Sequence, residues 1–225
     1  MVTFSEISGF AFDLDGVITD TAKFHAMAWQ QVAEQVGTKW TSQLADNLKG
    51  IDRMTSLEMI LKAGGHETEY SDTEKEQLAD EKNHNYVNLI KTLTPDDILP
   101  GMLDFIQSLH QNHYKLALAS VSRNAPVILE RLGLTDSFEG IVDPASLKLG
   151  KPDPEIYIRA AEVMHLDPDK VIGVEDAAAG VTSINKAGET SLGIGDAKIL
   201  HEANLIFANT KEVTLQAIKE KMTAN

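Results

Sequence analysis

The sequence predicts an α/β fold: a doubly wound, mainly parallel sheet of Rossmann-like type, broken by one inserted all-helical segment. Three observations predict it. Short, continuous apolar runs recur along the chain, which suits strands buried on both faces of a parallel sheet. From residue 97 onward, helical periodicity fills the gaps between those runs, giving the alternation of strand and helix that builds such sheets. The stretch 22–96 carries helical spacing and no convincing strand.

The elements follow in order. Gly9-Phe10-Ala11-Phe12-Asp13 is the first strand. Trp29, Val32, Ala33 and Val36 then give one helical face, ended by Gly37, and Leu57, Ile60 and Leu61 give another, ended by Gly64-Gly65. Ser71 with Glu74 reads as a capping box. It opens a long helix through Leu78, Tyr86, Leu89, Ile90 and Leu93, closed by Thr94-Pro95. Leu103, Ile106 and Leu109 form the face of the next helix, before a strand at Lys115–Ser120. Val127, Ile128, Arg131 and Leu132 make a further helix, stopped by Gly133. A short strand is expected at Ile141-Val142-Asp143. Pro154 suits the first turn of a helix through Ile156, Ala160, Val163 and Met164. Val171–Asp176 is a strand, Val181, Ile184 and Ala187 a helix ended by Gly188, and Thr190–Gly195 and Leu205–Phe207 the last strands. The expected division is an α/β core of residues 1–21 and 97–225 and a helical cap of residues 22–96. A length of 225 residues suits one α/β domain carrying an insertion. Open sheets bind ligands at the carboxyl ends of their strands. An insert leaving directly after the first strand is expected to lie over that edge as a lid.

Composition removes several classes of function. There are 20 Lys and Arg against 34 Asp and Glu, a formal charge of −14. Nucleic acids and anionic membranes call for basic surface, so neither is an expected partner. There is no cysteine, which excludes a disulfide framework, a thiolate metal site and a cysteine nucleophile. The N-terminal residues show no basic and apolar leader, and no run approaches the roughly 18 apolar residues that span a bilayer. A cytoplasmic protein is the expectation.

The strongest local feature is Phe12-Asp13-Leu14-Asp15-Gly16-Val17. Strand alternation sends the two carboxylates to one side, where the strand runs into a glycine turn. Like charges placed so closely repel, and one must take up a proton or share a cation. That suits a nucleophile beside a general acid. Alone, an Asp-x-Asp-Gly is more often a turn or a helix cap; the buried strand before it changes that. A second pair, Glu175-Asp176, ends another strand, and parallel strands bring their carboxyl ends to one edge. Four carboxylates without a thiol favour a hard divalent cation, most simply Mg²⁺. Ser120 and Lys151 fall at the same edge. Alone they would read as a helix cap and a surface lysine; together with a cation they could offset the charge of a phosphoryl group.

These residues, taken in order, resemble the haloacid dehalogenase superfamily of phosphotransferases. The motifs are Asp13-Leu-Asp15-Gly16-Val17, Ser120 at a strand end, Lys151-Pro152, and Glu175-Asp176 followed by Ala177-Ala178-Ala179-Gly180. The insert resembles the small helical cap of one branch. Further segments resemble the sugar-phosphate mutases of that branch: residues 13–21, His25, Leu48-Lys-Gly-Ile-Asp-Arg53, Lys82-Asn83 with Tyr86, and Ser120-Val-Ser-Arg-Asn124.

The resemblance implies that Asp13 is a nucleophile carrying the phosphoryl group and that Asp15 is general acid and base. It implies that Asp13, Asp15 (through its main-chain carbonyl), Glu175 and Asp176 hold Mg²⁺. Ser120 and Lys151 would hold the transferring phosphate, and Arg53 the distal one. Val121, Ser122, Arg123 and Asn124 would line the substrate from the core. Lys49, Gly50, Ile51 and Lys82 would do so from the cap. Thr21 and His25 would orient Asp15 at the hinge. Without the resemblance, Arg53 reads equally as a helix-start residue, His25 as a packed helix-face histidine, and Lys82 as a snorkelling lysine. The implied activity is an isomerase interconverting β-glucose 1-phosphate and glucose 6-phosphate through β-glucose 1,6-bisphosphate, acting as a monomer. A sugar-phosphate phosphatase shares every core motif and stands as the alternative. A scaffolding protein would have no need of the intact acidic set.

Overall fold

The computed structural model describes residues 3–48 and 53–224. Six strands form one sheet: β1 (Gly9–Phe12), β2 (Lys115–Leu118), β3 (Gly140–Ile141), β4 (Val171–Glu175), β5 (Thr190–Ile194) and β6 (Leu205–Phe207). Their order is β3-β2-β1-β4-β5-β6, and every neighbouring pair is parallel. The chain winds outward from β1 through β2 to β3, then returns to β4 on the other side. The order therefore reverses between β1 and β4, which is where doubly wound sheets bind ligands.

Every residue of β1 and of β4 is buried, as the unbroken apolar runs require. Ala11 and Ala117 join one core cluster with Ile156, Tyr157, Ala160 and Ile184, which come from α7 (Glu155–Val163) and α8 (Ala178–Ala187). Phe10 and Phe12 use a different set, meeting Phe105 of α5 (Met102–Gln111) edge-on. α6 (Ala125–Leu132) and α9 (Leu215–Ala224) complete the helices of this unit. Both α6 and α8 end on left-handed glycines, Gly133 and Gly188, as their sequences predict.

The chain divides into two compact units, residues 1–20 with 94–225 and residues 21–93. The second junction falls three residues before the expected one. Thr94 already belongs to the sheet unit: its hydroxyl and amide bond Asp97, and the Asp97 carbonyl accepts the hydroxyl of Thr19. The second unit holds α1 (Ala22–Gln35), α2 (Ser42–Asn47), α3 (Arg53–Gly64) and α4 (Asp72–Ile90). They share a core of Trp29, Val32, Ala33, Val36, Leu57, Ile60, Leu61 and Leu78. The Ser71–Glu74 capping box is present at the start of α4.

Some boundaries differ from the sequence reading. Strands β1 and β2 end before Asp13 and Ser120, because the chain turns into loops at the sheet's carboxyl edge. The third strand lies at Gly140–Ile141, earlier than expected. α2 was not anticipated; it is a short turn of helix whose start is capped by Thr41 accepting the amide of Leu44. The buried face of α5 is Met102, Phe105, Ile106 and Leu109, with Leu103 turned outward. In α6, Arg131 is exposed and Ala125, Ile128, Leu129 and Leu132 make the face. Pro154 stands at the cap of α7, one position ahead of its first turn.

Candidate active site

The sheet topology places the sequence motifs side by side. β1 and β4 pair with Phe12 opposite Val174, so Asp13 and Glu175 leave neighbouring strands at the same edge. The Asp13 amide still bonds the Val174 carbonyl at 3.0 Å. On the other flank Phe12 pairs with Leu118, and Ala119 N donates to the Phe12 carbonyl at 2.7 Å. Asp13 is therefore set between the strand ends carrying Ser120 and Glu175.

Lys151 ties the acids together. Its Nζ lies 2.6 Å from Asp13 Oδ1 and 2.6 Å from Glu175 Oε1. Its bond to Pro152 is cis. The Glu175 side chain is almost fully buried. Its Oε1 also accepts the Tyr157 hydroxyl at 3.2 Å, and its Oε2 accepts the amides of Asp176 and Ala177, each at 3.0 Å. Two glycines permit this crowding. At Gly16, which has a left-handed φ of 75°, any side chain would run into the Asp176 carboxylate, and at Gly180 it would strike that of Glu175.

Burial and like charge set the ionisation. Asp13 is pushed up to about 7, first by burial and then by Glu175 and Asp15, while Lys151 pulls it down. Asp176 keeps contact with solvent and rises to about 6, through partial desolvation and then the Glu175 charge. Burial works to lower Lys151, but the Asp13 and Glu175 carboxylates outweigh it, and the ammonium sits above its ordinary value. Burial, then Glu175, drives the Tyr157 phenol well above its ordinary range, so it stays a donor.

Carboxylate oxygens of Asp13, Glu175 and Asp176 lie within 4.8 Å of one another. An all-oxygen, anionic donor set of this spacing fits a hard divalent cation of the Mg²⁺ type. Asp15 is near enough for its charge to act on both Asp13 and Asp176. Ser120 is buried and its Oγ accepts the Ser122 amide at 3.2 Å; the Ser122 Oγ in turn accepts the amide of Asn124 at 3.3 Å. These turns hold the 120–124 loop, from which Val121 and Arg123 project into solvent.

A second polar cluster lies inside the helical unit. Lys82 Nζ, in a side chain only 5% exposed, is 2.8 Å from His25 Nδ1 and 5.1 Å from the ring centres of Trp29 and Tyr86. His25 stacks on Tyr86 at 4.0 Å, and the Tyr86 hydroxyl donates to Thr21 Oγ1 at 3.4 Å. Arg53 donates to Asn83 Oδ1 at 3.0 Å and lies 3.6 Å from Asp80. Burial, then the charges of Lys82 and Arg53, lowers His25 to about 4; burial, then Arg53, lowers Lys82 to about 8. His25 is thus a neutral acceptor for a lysine that holds its proton weakly.

Thus Asp13, Asp15, Ser120, Lys151, Glu175 and Asp176 converge in one unit, and Thr21, His25, Arg53 and Lys82 belong to the other. Lys49, Gly50 and Ile51 lie outside the described residues. The sequence reading missed Tyr157. Its spacing from Ile156 and Ala160 is that of an ordinary apolar helix face, and the only hint was its place six residues after Lys151.

A family model described as haloacid dehalogenase-like hydrolase matches residues 7–188. The chain is 44% identical over 210 residues to a β-phosphoglucomutase of Bacillus subtilis, covering 93% of each chain. It is 32% identical over 219 residues to a phosphorylated carbohydrates phosphatase of Thermotoga maritima, covering 93% of this chain and 97% of that one. Its fold is similar to the crystal structure of a β-phosphoglucomutase from Clostridium difficile, with a TM-score of 0.83 and 42% identity, covering 97% of this chain and 98% of that one.

Proposed function

The chain belongs to the haloacid dehalogenase-like hydrolase family, and we propose that within it the protein acts as a β-phosphoglucomutase. In this reading it is an isomerase that interconverts β-glucose 1-phosphate and glucose 6-phosphate. The observation that carries the reading is the presence of two separate cationic sets. A phosphatase needs one, for the reacting phosphate. A mutase working through a bisphosphate needs a second, and in this reading Arg53 with Lys82 supplies it in addition to the set built on Lys151. Arginine suits the distal phosphate because its fork can engage two oxygens at once. The similarity to the mutases of Bacillus subtilis and Clostridium difficile supports the same reading.

The residues divide the chemistry as follows. Phosphorylated Asp13 presents its phosphorus to the 6-hydroxyl of β-glucose 1-phosphate. Asp15 takes the hydroxyl proton as the new P–O bond forms and the bond to Asp13 breaks. The β-glucose 1,6-bisphosphate turns over within the site. Asp13 then attacks the 1-phosphate, and Asp15 returns the proton to the leaving sugar oxygen, releasing glucose 6-phosphate. Positioned acid–base help of this kind contributes about 10²–10⁴ in rate. Ser120 and Lys151 hold the transferring phosphate, with the 121–124 loop against the sugar. Thr21 and His25 orient Asp15, and Lys49, Gly50 and Ile51 contact the substrate. Asp13, the Asp15 carbonyl, Glu175 and Asp176 hold Mg²⁺, which when bound supplies positive charge to offset that of the phosphoryl group. The reading places the enzyme in the cytoplasm as a monomer.

One assay tests it. With Mg²⁺ and a bisphosphate primer, β-glucose 1-phosphate should convert to glucose 6-phosphate without net release of inorganic phosphate. Release of phosphate without conversion would instead make the protein a sugar-phosphate phosphatase, like the Thermotoga maritima relative. In the same assay Asp13→Asn should lower turnover on the order of 10³-fold or more. Substantial residual activity would sink the nucleophile assignment.

A further inference from the structure

We propose that Tyr157 is a positioning residue for phosphoryl transfer. Through its hydroxyl it fixes the Glu175 carboxylate that holds Lys151, so that Lys151 can move its contact from Asp13 to the incoming phosphate. The proposal rests on the reading of Asp13 as nucleophile and Lys151 as phosphate holder.

Tyr157 sits in the first turn of α7 and is fully buried. Its neighbours on that helix face are Ile156, Ala160 and Ala161. A phenylalanine would fill nearly the same volume. A phenol placed there must find a partner or cost stability, and its partner is Glu175 Oε1. On Glu175, Lys151 and Tyr157 donate to Oε1 and two main-chain amides donate to Oε2. The amides are fixed by the backbone. Of the two side-chain donors, Lys151 is shared with Asp13 and must respond when Asp13 becomes an acyl phosphate. Tyr157 is the donor that keeps Oε1 in place while Lys151, still held there, exchanges Asp13 for the phosphate.

The ring adds a second restraint. Lys151 Nζ lies 5.1 Å from the Tyr157 ring centre, within cation–π range. One side chain thus touches both members of the Lys151–Glu175 pair, its hydroxyl reaching the carboxylate and its face the ammonium. The two functions can be separated: Tyr157→Phe removes the first and keeps the second, whereas Tyr157→Leu removes both.

The test uses the full chain and a small acyl phosphate, acetyl phosphate, with Mg²⁺. The acid-trapped phosphoenzyme is followed in single turnovers, alongside thermal unfolding. Outer-shell hydrogen-bond partners of catalytic sites typically matter by about 10–100-fold. Tyr157→Phe is therefore expected to slow the maximal phosphorylation rate by about tenfold, within that range, with half-saturation by the donor and the melting temperature nearly unchanged. Tyr157→Leu should be slower again. Equal maximal rates in Tyr157→Phe and the parent chain would overturn the proposal. So would a Tyr157→Phe chain whose only defect is a lowered melting temperature, since that would make the hydroxyl a fold contact. If the parent chain itself traps no phosphate, it is the nucleophile reading that fails, and the role of Tyr157 falls with it.

Discussion

Lys151 in the sheet unit and Lys82 in the helical unit are both drawn out of water, and their ammonium groups shift in opposite directions. Lys151 lies 2.6 Å from each of two carboxylates and is held above its ordinary value. Lys82 faces a neutral imidazole and two aromatic rings, with Arg53 near enough to repel it, and falls to about 8. Burial opposes both charges; what differs is the company. The first lysine already has its anions. Among the described residues no carboxylate pairs with the second, so it has electrostatic reason to accept an anion from outside. A single residue type thereby stands in two opposite electrostatic settings.

The sharpest way to break this comparison is to remove each charge and keep the side-chain length. Lys151→Met leaves the half-buried Asp13 and the buried Glu175 as neighbouring carboxylates with their shared cation gone. Such a loss typically costs about 3–5 kcal/mol, and phosphorylation of Asp13 should fall with it. Lys82→Met removes a desolvated cation that has no carboxylate partner among the described residues. It should leave unfolding free energy unchanged or slightly raised, while weakening sugar-phosphate binding. Urea unfolding of both variants at neutral pH measures the contrast. Equal destabilisation would show that Lys82 has a hidden anionic partner.

A smaller effect follows from pH. Below about 8 Lys82 is charged, and above it the amine is neutral. Affinity for phosphorylated sugar should therefore fall as pH rises through that value, by about tenfold if one charge-assisted hydrogen bond is lost. The fold responds with the opposite sign. The folded pKa lies below that of the unfolded chain, so between about 8 and the ordinary lysine range the unfolded state binds more protons. Stability contributed by Lys82 rises with pH across that window. Lys82→Met should flatten both trends. A KM that stays constant from pH 6.5 to 9.5 in the parent chain would remove Lys82 from the phosphate-binding role.

The two clusters were unequally legible in the sequence. The sheet could be read because each buried parallel strand is an unbroken apolar run, and because Asp13 and Glu175-Asp176 close two such runs. Parallel pairing then brings them to one edge, with little left to side-chain detail. The order of strands was not written locally, since it depends on which edges the crossovers choose. The helical cluster was readable only through resemblance. His25 and Lys82 are 57 residues apart, and each sits at a spacing that fits an ordinary helix face. Tyr157 was hidden for the same reason: an apolar pattern accommodates a tyrosine without announcing where its hydroxyl points. Boundaries slipped where loops begin, as at Ser120 and in the third strand, because hydrogen bonding and not hydrophobicity decides the last residue.

Glu189 extends the comparison to a buried carboxyl with no hydrogen-bond partner among the described residues. It follows Gly188 at the end of α8 and leads into β5, only 5% exposed, and neither of its carboxyl oxygens has a hydrogen-bond partner among the described residues. Burial drives its carboxyl well above the ordinary range, and the charge it would carry acts on Tyr157. The sign here is fixed by linkage. Between the ordinary carboxylate value and the raised folded one, the native state binds a proton that the unfolded state has released. Stability from this group is therefore complete below the ordinary value and declines as pH rises. Glu189→Leu should stabilise the protein more at pH 8 than at pH 5, by a difference of about 1–3 kcal/mol, the cost of an unsatisfied buried group. Urea unfolding at the two pH values reads it. Parallel pH dependence in the variant and the parent would mean that Glu189 is already satisfied, leaving Lys82 and Lys151 as the two ends of the comparison.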